Sequence, residues 1–213
     1  MAAPSTSSLK DRNLRALYSL LALNIAAFYV IAHLDAISAG DWPKLASGWM
    51  AALPAGVGVA LTGLLNSLAS SDTKARLVFW RWHNPLPGSE AFTRHGPKDH
   101  RVDMAALAAK HGPLPTDPKA QNVLWYRLFK SVSTEPSVEQ AHRQFLLARD
   151  FAFMALVMVV MLGTAAAFFI RPISTTEIYI LLLVIQWAIA TRAANVGGHR
   201  FVTNVLAQKG AST

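Results

Sequence analysis

The chain has 213 residues, 53% of them hydrophobic and 15% charged, against about 45–50% and about 25% in an ordinary soluble protein. Such an apolar excess argues against a purely aqueous fold and calls for a second solvent. Cysteine is absent, which excludes a disulfide framework, a thiolate metal site, an iron–sulfur cluster and a cysteine nucleophile. The formal charge of +8 fits nucleic acid, anionic lipid or a membrane-orientation signal, and the positions of the charges choose among them.

Residues 1–15 form an N-terminal tail that carries Lys10, Arg12 and Arg15. Residues 16–34 contain no Asp, Glu, Lys or Arg and match the roughly 20 residues a helix needs to cross about 30 Å of hydrocarbon. A signal peptide also begins with basic residues, but its apolar core is only about 7–15 residues long, so the run is read as a retained span. Residues 45–69 are again free of charged side chains and contain Pro54 with Gly56, Gly58 and Gly63; they are read as a second span. Its small residues Ala52, Gly56, Ala60, Gly63 and Ser67 recur at three- and four-residue steps and let another backbone approach closely. A homo-oligomer is expected from a bundle of so few spans.

Residues 151–170 read FAFMALVMVVMLGTAAAFFI and form a third span, apolar on every face. The fourth run is shorter, with fourteen uncharged residues at 178–191 before Arg192. Extending it back to Ile173 and letting Arg192 snorkel restores a full span.

With four spans, 18 of the 20 basic residues fall on one side, and only Lys44 and Arg171 lie in the two short loops. By the positive-inside rule that side is cytoplasmic. The expected fold is therefore an all-α membrane protein of the inner (plasma) membrane, with two transmembrane hairpins (residues 16–69 and 151–192). An α-helical cytosolic insertion occupies residues 70–150, a C-terminal tail residues 193–213, and both termini are cytoplasmic. No alternation of strand type and no internal repeat is visible.

The insertion carries twelve basic and eight acidic residues. Its first part sets Arg76 and Arg81 among Phe79, Trp80 and Trp82, the composition of a segment anchored at the lipid headgroups. Pro85, Pro87 and Gly88 impose a turn; residues 90–98 show no period, and residues 104–110 suggest a brief helix. Asp117 followed by Pro118 is a helix start, and the helix from 118 to about 131 gathers Trp125, Tyr126, Arg127 and Lys130. Ser137 and Gln140 stand at capping-box spacing, from which a helix is expected to run unbroken into the third span, carrying Glu139, His142, Arg143, Arg149 and Asp150.

No ionisable residue lies deep in a span. Asn24 and Gln186 are the strongly polar groups near mid-membrane and suit helix–helix hydrogen bonds or, in an oligomer, the lining of a narrow pore. His83, His95, His100 and His111 lack metal-site spacing, so no metal and no cofactor are expected. No phosphate-binding glycine loop, nucleophile elbow or intramembrane protease pattern occurs, and the Gly197, Gly198, His199, Arg200 cluster is read as a helix break after the fourth span.

This layout resembles small membrane subunits of bacterial stress or phage-defence systems, a resemblance of architecture alone. It implies a non-enzymatic sensor or effector subunit whose insertion docks a cytosolic protein or a ligand through Trp125, Tyr126, Arg127, Lys130, His142 and Arg143. Nucleic acid would be met only indirectly. The alternatives are an oligomeric channel-type pore built on Asn24, Gln186 and the second span, and a membrane-embedded enzyme acting through Glu139, His142 and Asp150.

Overall fold

The computed structural model describes residues 9–47 and 53–211. Among them the regular structure is entirely helical. In chain order the helices are α1 (Leu9–Ala32), α2 (Leu34–Ala39), α3 (Trp42–Ser47), α4 (Leu53–Leu68), α5 (Ser71–Phe79), α6 (Met104–His111), α7 (Pro118–Ser131), α8 (Pro136–Phe169) and α9 (Ile173–Ala211). Two compact units emerge, one of Met1–Ala69 with Asp150–Ala190 and one of Ser70–Arg149 with Thr191–Thr213.

In the first unit, α1, α8 and α9 are long and apolar enough to cross a membrane. The apolar helix of the expected second span is shorter, Gly56–Leu68, and residues 48–52, including Ala52, lie outside the described residues. The expected loop at 35–44 holds the short helices α2 and α3, and α3 runs on through 45–47, where the expected second span begins. Gly40 ends α2 in the left-handed region at φ 67°, where a side chain is disfavoured. The Tyr29 hydroxyl donates to the Leu45 carbonyl oxygen at 2.7 Å and ties α1 to α3.

Each long helix of this unit buries one narrow stripe. On α1 it is Asn13, Leu17, Leu21, Asn24 and Phe28, and on α8 it runs through Ala155, Met158, Leu162 and Ala166, the three- and four-residue steps that keep side chains on one helical face. On α4 the buried residues are Gly58, Thr62 and Asn66. A Cβ on Gly58 would stand 3.3 Å from Met161 Cβ, so this glycine, one helical step away from the expected face, admits α8. Gly56 and Gly63, by contrast, have nothing within 4 Å of an added Cβ, and Ala60 is exposed. Large apolar side chains cover the outside: Leu23, Leu64, Leu68, Val160, Phe168, Leu181 and Ile189 are all more than half exposed.

The second unit is ordered by caps and a core. Ser70, Asp103 and Asp117 each accept a backbone N–H at the start of α5, α6 and α7, satisfying donors that a helix start leaves free. Between α5 and α6 the aperiodic stretch folds into three short turns, a 3-10 turn at Pro87–Glu90, a π turn at Ala91–His95 and a 3-10 turn at Gly96–Lys98. Gln121 of α7, 1% exposed, holds the π turn. Its Oε1 accepts from the Phe92 and Thr93 N–H groups at 3.0 and 3.2 Å, and its Nε2 donates to the Thr116 carbonyl at 2.8 Å.

Two expectations at the C-terminal end are corrected. Gly197 and Gly198 do not break the chain, because α9 continues through them to Ala211. A Cβ on Gly198 would lie 2.5 Å from Phe79 Cζ and 3.1 Å from Phe145 Cε2, so the residue is small to let two aromatic rings reach the helix. The expected tail is accordingly a structural helix: Phe201, Val202, Val205 and Leu206 join Phe92, Leu107, Trp125, Leu128, Phe129, Val138 and Phe145 in one buried core. The helix expected to run unbroken from about residue 137 into the third span is present as α8.

Candidate functional site

The second unit carries the chemically varied surface, and its core decides which side chains face outward. α7 places residues on both sides. Trp125, 6% exposed, stacks on Phe129 and meets Phe201 edge-on at 5.1 Å. Tyr126 is half exposed, Arg127 and Lys130 are exposed, and Lys130 Nζ lies 5.4 Å from the Tyr126 ring centroid, a favourable cation–π distance. Of the residues expected to dock a partner, Tyr126, Arg127 and Lys130 thus share an outer face with Val123, while Trp125 packs inward.

His142 also belongs to the interior side of α8. Its ring stacks on Phe201 at 4.6 Å and meets Phe129 edge-on at 5.1 Å. Burial, reinforced by the charges of Arg149 and Lys130, lowers its pKa to about 4, so the imidazole is neutral at pH 7. Arg143 is half-buried beside it in sequence. Glu139 and His142 lie in this unit, whereas Asp150 falls in the apolar one.

The expected headgroup anchors divide in the same way. Trp80 and Trp82 are 72% and 78% exposed. Phe79 packs against the core and stands 5.8 Å from the His199 ring. Arg81 Nη1 pairs with Glu90 Oε2 at 2.9 Å, and Arg76 lines a surface recess with Trp82, His83 and Lys119.

The most concentrated group of charges and imidazoles was missed by spacing, since it joins residues a hundred positions apart. An open groove of about 500 Å³ lies between the turn at 95–101 and α9, lined by His95, Lys98, Arg101, His199, Arg200 and Thr203 among others. Arg101 joins its walls: it bonds both carboxylate oxygens of Asp99, at 2.9 and 2.6 Å, and reaches Thr203 Oγ1 and Asn204 Oδ1 at 3.2 Å. Asp99 is held far below the usual carboxylate range by these bonds. The His95 and His199 rings are 4.3 Å apart. Burial, then the neighbouring His199, lowers His95 to about 4 against the opposing pull of Glu90, and His199 is lowered for the same first reason. Glu90 is shared by Arg81 and Arg94, at 2.9 and 3.0 Å.

This arrangement offers fixed positive charge and neutral imidazole N–H groups at an accessible surface. Among the described residues no group of three or more His, Asp or Glu is placed to hold a metal ion. In the apolar unit, Asn24 Nδ2 donates to the Leu20 carbonyl of its own helix at 2.8 Å, and Gln186 is half-buried. Compared with protein-family models, with curated proteins and with solved structures, the chain matches none.

Proposed function

We propose that the chain is a non-enzymatic, multi-pass sensor or effector subunit of the inner (plasma) membrane. It has four spans and cytoplasmic termini, and its helical insertion docks a cytosolic protein or ligand. One observation carries the reading: residues 70–149 and 191–213 build a separate aromatic core, and α8 and α9, whose apolar stretches suit a bilayer, each begin or end within that core. An event at the insertion therefore acts on the same two helices that continue into the apolar unit. The concentration of basic residues outside the two short loops supports the assigned orientation.

The test is the composition of the complex extracted from native membranes into nanodiscs, read by native mass spectrometry. A homo-oligomer with a stoichiometric cytosolic partner, lost on Tyr126→Ala with Arg127→Glu, is expected; a lone monomer removes the reading.

The second reading, an oligomeric pore, is favoured by the small-residue face of Gly56, Ala60 and Gly63, where Ala60 is exposed and a Cβ added at either glycine has nothing within 4 Å among the described residues. Ion flux through reconstituted protein separates the two.

A further inference from the structure

We propose that the groove between the 95–101 turn and the C-terminal part of α9 is a binding site for a phosphate monoester group. The inference deepens the docking reading above and rests on it for its biological sense, though not for its chemistry.

The first ground is charge. Glu90 and Asp99 are both committed, Glu90 to Arg81 and Arg94 and Asp99 to Arg101. Lys98 and Arg200 then project from opposite walls, exposed and without a carboxylate partner among the described residues. Like charges lining one groove repel, and an anion bound among them relieves that repulsion. Lys98, Arg101 and Arg200 line the groove with one carboxylate, Asp99, an excess of two positive charges that matches a dianionic phosphate better than a single carboxylate.

Geometry is the second ground. Arg101 is held by bonds to both walls, so the groove is built before any ligand arrives, and preorganisation lowers the entropic cost of binding. The guanidinium of Arg200 presents a planar fork of donors and Lys98 a point charge, the two usual ways of holding phosphate oxygens. His199 adds a ring N–H. The volume of about 500 Å³ falls in the usual range for a small-molecule site. A single-stranded nucleic acid wants a longer track with exposed aromatic platforms. Here the nearby aromatic ring, Phe79, is packed against the core behind His199.

The same chemistry is available from a soluble phosphorylated metabolite or from the headgroup of a phosphatidic-acid-type lipid. The experiment uses the full chain in nanodiscs of purely zwitterionic lipid. It is titrated with inorganic phosphate and glycerol 3-phosphate by calorimetry and, in a separate arm, with nanodiscs containing phosphatidic acid, scored by protection of Lys98 from amine labelling. Lys98→Ala with Arg200→Ala changes only exposed side chains and leaves the core intact, as far-ultraviolet circular dichroism checks.

Saturable binding in either arm, weakened at least about tenfold by the double substitution and by raising the salt, supports the site, and the arm that responds names the source. Absence of saturable binding in both arms, or equal binding by the double variant, overturns it. Phosphate binding by a protein that has no partner in native membranes keeps the site and removes the protein-docking form of the reading above; a partner held without phosphate binding does the reverse.

Discussion

Both units bury apolar side chains, but they differ in what they expose. In the apolar unit, Asn13, Asn24, Thr62 and Asn66 share the interior with Leu17, Leu21, Phe28 and Leu162, while Leu23, Leu68, Val160 and Phe168 stand more than half exposed. In the unit of residues 70–149 and 191–213, the interior is Trp125, Phe129, Phe145, Phe201 and their aliphatic neighbours, and Arg94, Lys98, Arg127, Lys130 and Arg200 are exposed. A single rule produces both patterns once the solvent is allowed to differ. In hydrocarbon an exposed leucine loses nothing, whereas a polar group gains by meeting its own backbone, as Thr62 Oγ1 does at the Gly58 carbonyl at 2.7 Å. In water, apolar burial is the driving term.

The comparison can be broken most forcefully at Phe201, whose ring meets Trp125, Phe129, His142 and Phe145. Phe201→Ala is expected to cost about 3–5 kcal/mol. By hydrogen exchange, amides of residues 70–149 should lose protection while those of the apolar part of α8 keep theirs; uniform loss in both units would erase the distinction between them.

Next in size is the aromatic contact at Gly198. Gly198→Val should overpack Phe79 and Phe145 and cost about 1–3 kcal/mol. Gly197→Ala, whose new Cβ sits 3.5 Å from Phe145 Cα, should be neutral or stabilising, since alanine is the better helix former by up to about 1 kcal/mol. Thermal melts of the two variants in the same detergent check the contrast.

A pH titration sharpens the difference further. His95 and His142, both outside the apolar stretches, sit at about 4 in the fold against roughly 6.5 in an unfolded chain. Between those values the unfolded chain binds more protons, so each proton favours unfolding. The stability of this unit should hold steady above about pH 6.5, decline as the pH is lowered towards 4 and then level off. Chemical denaturation followed by tryptophan fluorescence reads the slope, and His142→Phe should flatten it.

The smallest effect on folding is expected on the open face of α4. A Cβ added at Gly56 or Gly63 has nothing within 4 Å among the described residues, so Gly56→Ala and Gly63→Ala should leave the melting temperature within a degree or two, and Gly56→Leu and Gly63→Leu should lower it little. If the face joins a second copy, the same substitutions should shift the mass of the complex in nanodiscs from oligomer to monomer.

What the sequence made legible follows from periodicity. Apolar runs of bilayer length located the stretches that lie in α1, α8 and α9, and Asp117 with Pro118 marked α7 at its observed start. Residues 90–98 escaped because 3-10 and π turns do not repeat every 3.6 residues, and their anchor, Gln121, acts from 28 positions away. Gly197 and Gly198 misled because adjacent glycines signal a break far more often than a close ring contact. Small-residue spacing on α4 found a face, but the neighbour uses Gly58, one step round the helix. Trp125 and Tyr126 are adjacent in sequence and were grouped together; helical geometry turns one into the core and the other outward. The groove at His95, Lys98, His199 and Arg200 left no local signal, since its walls meet only after the core has formed.

The proposed topology puts the unit of residues 70–149 and 191–213 wholly on the cytoplasmic side of a membrane crossed four times. The absence of cysteine permits a clean measurement: single substitutions Ala39→Cys, His100→Cys, Lys119→Cys and Ser174→Cys, labelled with a membrane-impermeant maleimide in intact cells and again after permeabilisation. Labelling of Ala39→Cys and Ser174→Cys in intact cells, with His100→Cys and Lys119→Cys reached only after permeabilisation, is the expected result. Labelling of His100→Cys or Lys119→Cys from outside, or of Ala39→Cys and Ser174→Cys only from inside, would contradict it.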